Sequence, residues 1–461
     1  MYTPHSQADI EAMLDVVGAA RLEELVKVPA EVALRESVRV PGPLPETEIA
    51  RKFSALAARN VAQEMPSFLG AGAYRHYVPP VIGALSMRGE FLTSYTPYQA
   101  EVSQGYLQAI YEWQTYICLL TGLDVANASV YDGATALAEA AIMAVNATGR
   151  RALLVSRAVH PNYRAVLKTY ADGIDVEVDE QPFTGTGTTD DTNLLSLVRD
   201  GRYAAVIRQS PNFFGALDAP PTDSVATIKD SGTLLIGVVV EPLSLALLAT
   251  PASWGCDICA GEAQSFGNAQ AYGGPHVGFI ACTQEHLRRI PGRLVGRTLD
   301  ASGRTAYVLT LQAREQHIRR EKASSNICTN QAHCALTATI YLAALGATGL
   351  RDCALENLER ARRTAESVCA IPGVTRRFDA PVFNEFAVRV PGRAAEVLEE
   401  LQARGVLGGL DLGRFYPELD DAILMTATEM TADAEIEALS AGLRALVPAL
   451  RERSAHLAAT R

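Results

Sequence analysis

Lysine is the residue this chain has least use for. Only five occur in 461 residues, Lys27, Lys52, Lys168, Lys229 and Lys322, and every other basic side chain that is not histidine is arginine. Chemistry that needs a Schiff base has few amines to choose from. Positive charge is also in deficit, with a formal net charge of −11, which argues against a nucleic-acid binder. Long apolar runs are missing too. The most apolar stretch, 233–250, is broken by Glu241 and Pro242, so it reads as a buried strand and a turn, and no membrane span is expected. The start, MYTPHSQADIEAML, lacks the basic and apolar regions of a secretory signal. Eight scattered cysteines without such a signal suit a reduced, cytoplasmic protein. Cys256 and Cys259 form a lone CxxC, and Cys328 and Cys334 flank His333. His76, His160, His276 and His317 lie far apart. No set of four convergent ligands emerges, so no metal is expected.

What is present is the pattern of a large α/β protein. The length suits one large domain and a smaller one. At the N-terminus Ser6 and Asp9 make a capping box, Ile10, Met13, Leu14 and Val17 form a stripe, and Gly18 ends it. Leu22, Leu25 and Val26 form a second stripe. Prolines 41, 43 and 45 mark a linker, and a further helix is expected over 46–59. Residues 1–60 therefore read as a helical arm of the kind that wraps a partner subunit. From 61 to 328, short apolar runs alternate with helical periods: 126–130, 152–155, 174–178, 204–207, 234–240, 256–260 and 277–281. A long helix, 99–121, precedes them, and 183–193 reads as a surface connection. This alternation implies a mostly parallel sheet covered on both faces. Beyond about 329 the expectation is a small α+β domain, with helices at 329–346, 354–370, 393–404 and 432–449 and strands at 383–390 and 422–428.

Several segments have the residue types for chemistry. Asp132, Gly133, Ala134 and Thr135 stand between a strand and a helix, where backbone N–H groups form an anion cup, although many such connections look alike. Glu241 ends an apolar strand, at the edge where parallel sheets bind ligands, and a capped strand end reads the same way. The glycine-rich turn around Ser265 allows close backbone approach. The segments 93–98 and 314–330 combine aromatics, hydroxyls and arginines. They fit carboxylate or phosphate recognition, or a salt-bridged helix and polar turn at a subunit seam.

Taken together, the stretches FLGAGAYRHYVPP (68–80), TSYTPYQAE (93–101), QSFG (264–267) with YGGP (272–275), and LQAREQHIRREKASSNICTNQ (311–331) resemble the P-protein family of the glycine cleavage system. The match is to the family's N-terminal half, a separate subunit in many bacteria. The resemblance implies a fold-type-I pyridoxal-phosphate transferase fold, like aspartate aminotransferase. It implies that the Schiff-base lysine lies on the other subunit, that Ser265 fills the vacated position, and that Glu241 stands near the place of the pyridinium acid. The Asp132–Thr135 cup is then a remnant. The resemblance also implies glycine as substrate, pyridoxal 5'-phosphate on the partner's lysine, a lipoylated H-protein as acceptor, and an α2β2 assembly. This chain's expected contributions to the partner's active site are Tyr95, Thr96, Tyr98, Arg320, Asn326 and Thr329. Two alternatives stay open: a self-sufficient enzyme using Lys322, and a purely structural or regulatory subunit.

Overall fold

The computed structural model describes residues 5–459 apart from 27, 30, 35, 37, 93–95 and 328–329. It divides into two units, 1–63 and 64–461. The first holds the helices Gln7–Val17 and Glu46–Ala57 and the short turn Leu22–Leu25. Ser6 and Asp9 close the capping box, and Gly18, at φ 73°, ends the first helix in the left-handed region.

The second unit is built on a seven-stranded sheet. Its strands are β1 (Val125–Ala126), β2 (Ala152–Ser156), β3 (Glu177–Gln181), β4 (Ala205–Gln209), β5 (Leu234–Val239), β6 (Ile258–Glu262) and β7 (Gly278–Cys282), in the order β1-β7-β6-β5-β4-β2-β3. All run parallel except β7, which is antiparallel to both of its neighbours. Strands β2, β4, β6 and β7 are buried at every residue, as expected for a sheet covered on both faces, and each opens on an apolar run, with polar residues such as Arg208, Gln209 and Glu262 confined to the C-terminal ends. Edge strand β3 differs. Its sequence, EVDEQ, is mostly charged, and it starts three residues beyond the expected 174, because Asp175 turns the chain at φ 53°.

A hairpin, β8 (Leu294–Leu299) with β9 (Thr305–Thr310), follows and was not expected. Asp300 fixes its turn, accepting the Ser302 and Arg304 backbone N–H groups at 2.8 and 2.9 Å. The two helices expected over 329–370 form, and the run Ala332–Cys369 is made of them, meeting at a kink at Gly346, where φ is 61° and ψ −175°. Among the described residues this is the helix with the length and apolarity of a membrane span, but half of that window is buried in the fold. Tyr341 and Leu342 pack with Trp113 and Phe279. A second, antiparallel sheet has the order β10-β11-β13-β12, from β10 (Thr375–Arg376), β11 (Glu385–Arg389), β12 (Leu410–Asp411) and β13 (Ala422–Thr426). Phe386, Val388, Ile423 and Met425 of this sheet pack on Leu439 and Leu443 of the closing helix Asp433–Ala459.

The segment 183–193 needs correction. It is not a simple surface connection, because Thr189 is buried and gives its N–H and hydroxyl to Asp218. Arg208, fully buried on β4, spans Asp191 and Asp218 at 2.5 and 2.7 Å. Cys256 and Cys259 are buried free thiols, pushed up by that burial.

Candidate functional site

The parallel strands end together, and the loops leaving β1, β5 and β6 meet at that edge of the sheet, where the fold class binds ligands. The residues found there include one that the sequence singled out only for lacking metal-ligand spacing. His76 is buried between two carboxylates. Its Nε2 lies 3.0 Å from Glu241 Oε2, and its Nδ1 lies 2.8 Å from Glu429 Oε2. Burial alone disfavours the imidazolium, but Glu241 first and Glu429 second outweigh it and hold His76 up at about 10. The imidazole is therefore a buried cation at neutral pH. Both carboxylates are further tied down. Glu241 Oε1 accepts the Leu243 N–H at 3.0 Å, and Glu429 accepts from the Tyr77 N–H at 2.7 Å and from Asn357 at 2.9 Å.

Ser265 lies in the same cluster. Its hydroxyl donates to Glu241 Oε2 at 3.1 Å, and both residues are buried. Ser265 and Glu241, expected separately at the lysine position and near the pyridinium acid, are thus brought into contact. The partner of Glu241, however, is the protein's own imidazolium. Nearby, Glu385 accepts the Ala71 N–H at 2.6 Å and the hydroxyls of Tyr74 and Thr426 at 2.8 and 3.0 Å. Burial lifts its carboxyl to about 7 in spite of these donors. Gly70 is required where it stands, since a Cβ there would meet the side chains of Thr426 and Glu385.

The anion cup forms as expected at the start of the helix Gly133–Thr148. Asp132 caps it, accepting the Thr135 N–H at 2.8 Å. The Gly133 N–H, free to meet an anion, donates instead to Glu262 Oε2 at 2.9 Å. Gly133 has no side chain because the Tyr163 hydroxyl fills the space a Cβ would need. Pyridoxal phosphate does not fit this seat. Seated as the resemblance implies, its aldehyde would meet the Ser265 hydroxyl, its ring nitrogen a carboxylate already paired with His76, and its phosphate a cup holding Glu262.

A second feature unites residues expected at the subunit seam. Tyr98, Arg320 and Asn326 line one open cavity of about 430 Å³, together with Arg293, Glu315 and His317. Arg293 was not anticipated. It is 5 % exposed, donates to the Tyr98 hydroxyl at 2.6 Å, and stands over the Tyr98 ring at 4.8 Å. Its Nε makes no hydrogen bond, with the Glu315 carboxylate 3.9 Å away. Thr96 is half-buried and does not line this cavity. Tyr95 and Thr329 lie outside the described residues. Lys322 is exposed, in the turn Arg320–Lys322, and makes no contact with the Glu241 cluster.

Comparison with known proteins assigns the family. The model of the glycine cleavage system P-protein family matches residues 1–443. A Moorella thermoacetica protein described as "Probable glycine dehydrogenase (decarboxylating) subunit 1" is 50% identical over 97% of this chain and 99% of its own length. This chain belongs to the glycine cleavage system P-protein family. A Desulfitobacterium hafniense protein of the same description is 46% identical over 96% of this chain and 99% of its own length. Among solved structures, glycine decarboxylase (P-protein) of the glycine cleavage system, in inhibitor-bound form, matches with TM-score 0.88 and 43% identity, covering 96% of this chain and 99% of that one. A Burkholderia pseudomallei sphingosine-1-phosphate lyase, at 17% identity and TM-score 0.66, shares the fold alone, covering 93% of this chain and 96% of that one. The fold is that of the fold-type-I pyridoxal-phosphate transferases, and the description of the relatives as subunit 1 implies a second subunit.

Proposed function

We propose that this chain is the subunit of a glycine decarboxylase that bears no Schiff-base lysine. It works only beside a lysine-bearing second subunit, in an α2β2 complex of the cytoplasm. The observation that carries the proposal is Ser265, a buried hydroxyl hydrogen-bonded to Glu241 where the fold class needs an amine. Pyridoxal phosphate on the partner's lysine supplies the electron sink for decarboxylation, and the lipoyl group of the H-protein takes the aminomethyl product. The part left to this chain is to wall the partner's active site, exclude water and shape the lipoyl entrance. The Tyr98–Arg293–Arg320–Asn326 cavity is the feature suited to that work, since it is open and combines an aromatic ring with two guanidinium groups. Tyr95, Thr96 and Thr329 belong to the same role through their place in the chain. The helices of residues 1–63, with Ile49, Phe53 and Leu56 exposed along one face, are the arm proposed to clasp the partner.

The test is reconstitution. Glycine-dependent carbon dioxide release, in the presence of lipoylated H-protein, is expected from the mixture of the two subunits and from neither alone. Full activity of the second subunit by itself would reduce this chain to a scaffold and overturn the proposal. Turnover by this chain by itself would overturn it equally.

A further inference from the structure

Glu262 is the last residue of β6, and its side chain turns into the space between two backbone segments. One oxygen, Oε2, accepts the Gly133 N–H at the first turn of a sixteen-residue helix. The other, Oε1, accepts the N–H groups of Ala263, Gln264 and Val277 at 3.0, 2.9 and 3.0 Å. Four backbone donors thus converge on one buried carboxylate, and Tyr163 closes the cup over Gly133. One of the four, the Gly133 N–H, belongs to the positive end of a helix, and converging N–H groups with such an end among them are what a phosphate monoester would use. Here each of those donors has its acceptor already, and a second anion would meet both a filled volume and a like charge.

We infer that Glu262 is a resident anion that keeps the cofactor-phosphate cup of this subunit closed, so the chain binds no phosphate monoester there even if an amine is restored at position 265. This goes beyond the functional proposal and is independent of it, because the readout is anion binding by this chain and not turnover by the complex.

The experiment compares the full-length wild-type chain with Glu262→Ala. Melting temperature is followed as inorganic phosphate replaces chloride at constant ionic strength. The wild type is expected to show no saturable rise. Glu262→Ala, with four donors freed, is expected to show one, with an apparent affinity for phosphate at least about ten-fold above the wild type, the scale of one charge-assisted hydrogen bond. A saturable rise in the wild type that persists in Arg320→Ala, which removes a guanidinium from the separate Tyr98 cavity, overturns the inference, and so does a folded Glu262→Ala chain indifferent to phosphate. Should Glu262→Ala fail to fold, Ser265→Lys decides. Equal trapping of pyridoxal and pyridoxal phosphate by borohydride supports a closed cup, whereas a preference of about ten-fold for the phosphorylated aldehyde shows it open.

Discussion

His76→Gln is the substitution that most directly probes how the Glu241–Glu429 cluster is held together. The imidazolium is the cation between Glu241 and Glu429, at 3.0 and 2.8 Å, and glutamine removes the charge while keeping a polar side chain. Two carboxylates then face one another in a buried site, and breaking a buried pair in this way costs about 3–5 kcal/mol. With an unfolding entropy of about 2.1 cal/mol/K per residue, a chain of this length should lose about 3–5 °C in melting temperature at pH 7. The pH dependence gives a sharper test. His76 sits at about 10 in the folded chain, above its ordinary value of 6.5. Between these values the folded state binds the proton that the unfolded state has released. The contribution of His76 is therefore complete below pH 6.5 and declines as pH rises toward 10, by at most about 1.4 kcal/mol per pH unit. From pH 7 to 9 the wild type should lose about 3 °C more than the variant, measured by calorimetry or dye-monitored melting. Parallel melting curves for the two proteins across that range would refute a charged imidazole at this position.

Other outcomes follow from the same geometry. Glu385→Gln should flatten the pH dependence of melting between pH 4.5 and 7, since burial lifts this carboxyl to about 7 and its stabilising effect is lost as pH rises through that value. An unchanged slope in that window would contradict it. Arg208→Met leaves Asp218 without its cation in the core, and the partly exposed Asp191 without its own, and should destabilise the chain by about 3–5 kcal/mol in urea unfolding, a loss that a surface ion pair would not produce. Arg293→Lys keeps the charge but loses the fork over the Tyr98 ring, and should lower turnover by the reconstituted complex by about ten-fold with little change in melting; wild-type turnover would remove Arg293 from the site.

Much of the architecture was readable because the central strands are buried on both faces and so open on short apolar runs, Ala205–Ile207 and Ile258–Ala260 among them. Edge strand β3 was misplaced because an edge has to carry charge, which hides it from an apolar pattern. The hairpin of β8 and β9 had a signal that was passed over, two short runs around an Asp-Ala-Ser-Gly turn. At the site, Ser265 and Glu241 were legible as a hydroxyl in a glycine-rich turn and a carboxylate at a strand end, and the fold brings the two into hydrogen-bond contact. His76 was not, because its partners lie 165 and 353 residues away, and no local spacing announces such a cluster. Glu262 stood in plain view three residues before Ser265, but only the folded backbone shows that it points into the cup. Arg293 had no signal, since its meaning depends on Tyr98, 195 residues distant.

The central claim is that the amine comes from elsewhere. Borohydride reduction of the reconstituted, active complex, followed by mass spectrometry of each chain, tests it directly. A pyridoxyl-phosphate adduct is expected on a lysine of the second subunit and none on this one. An adduct on any of the five lysines here, Lys322 included, would contradict it.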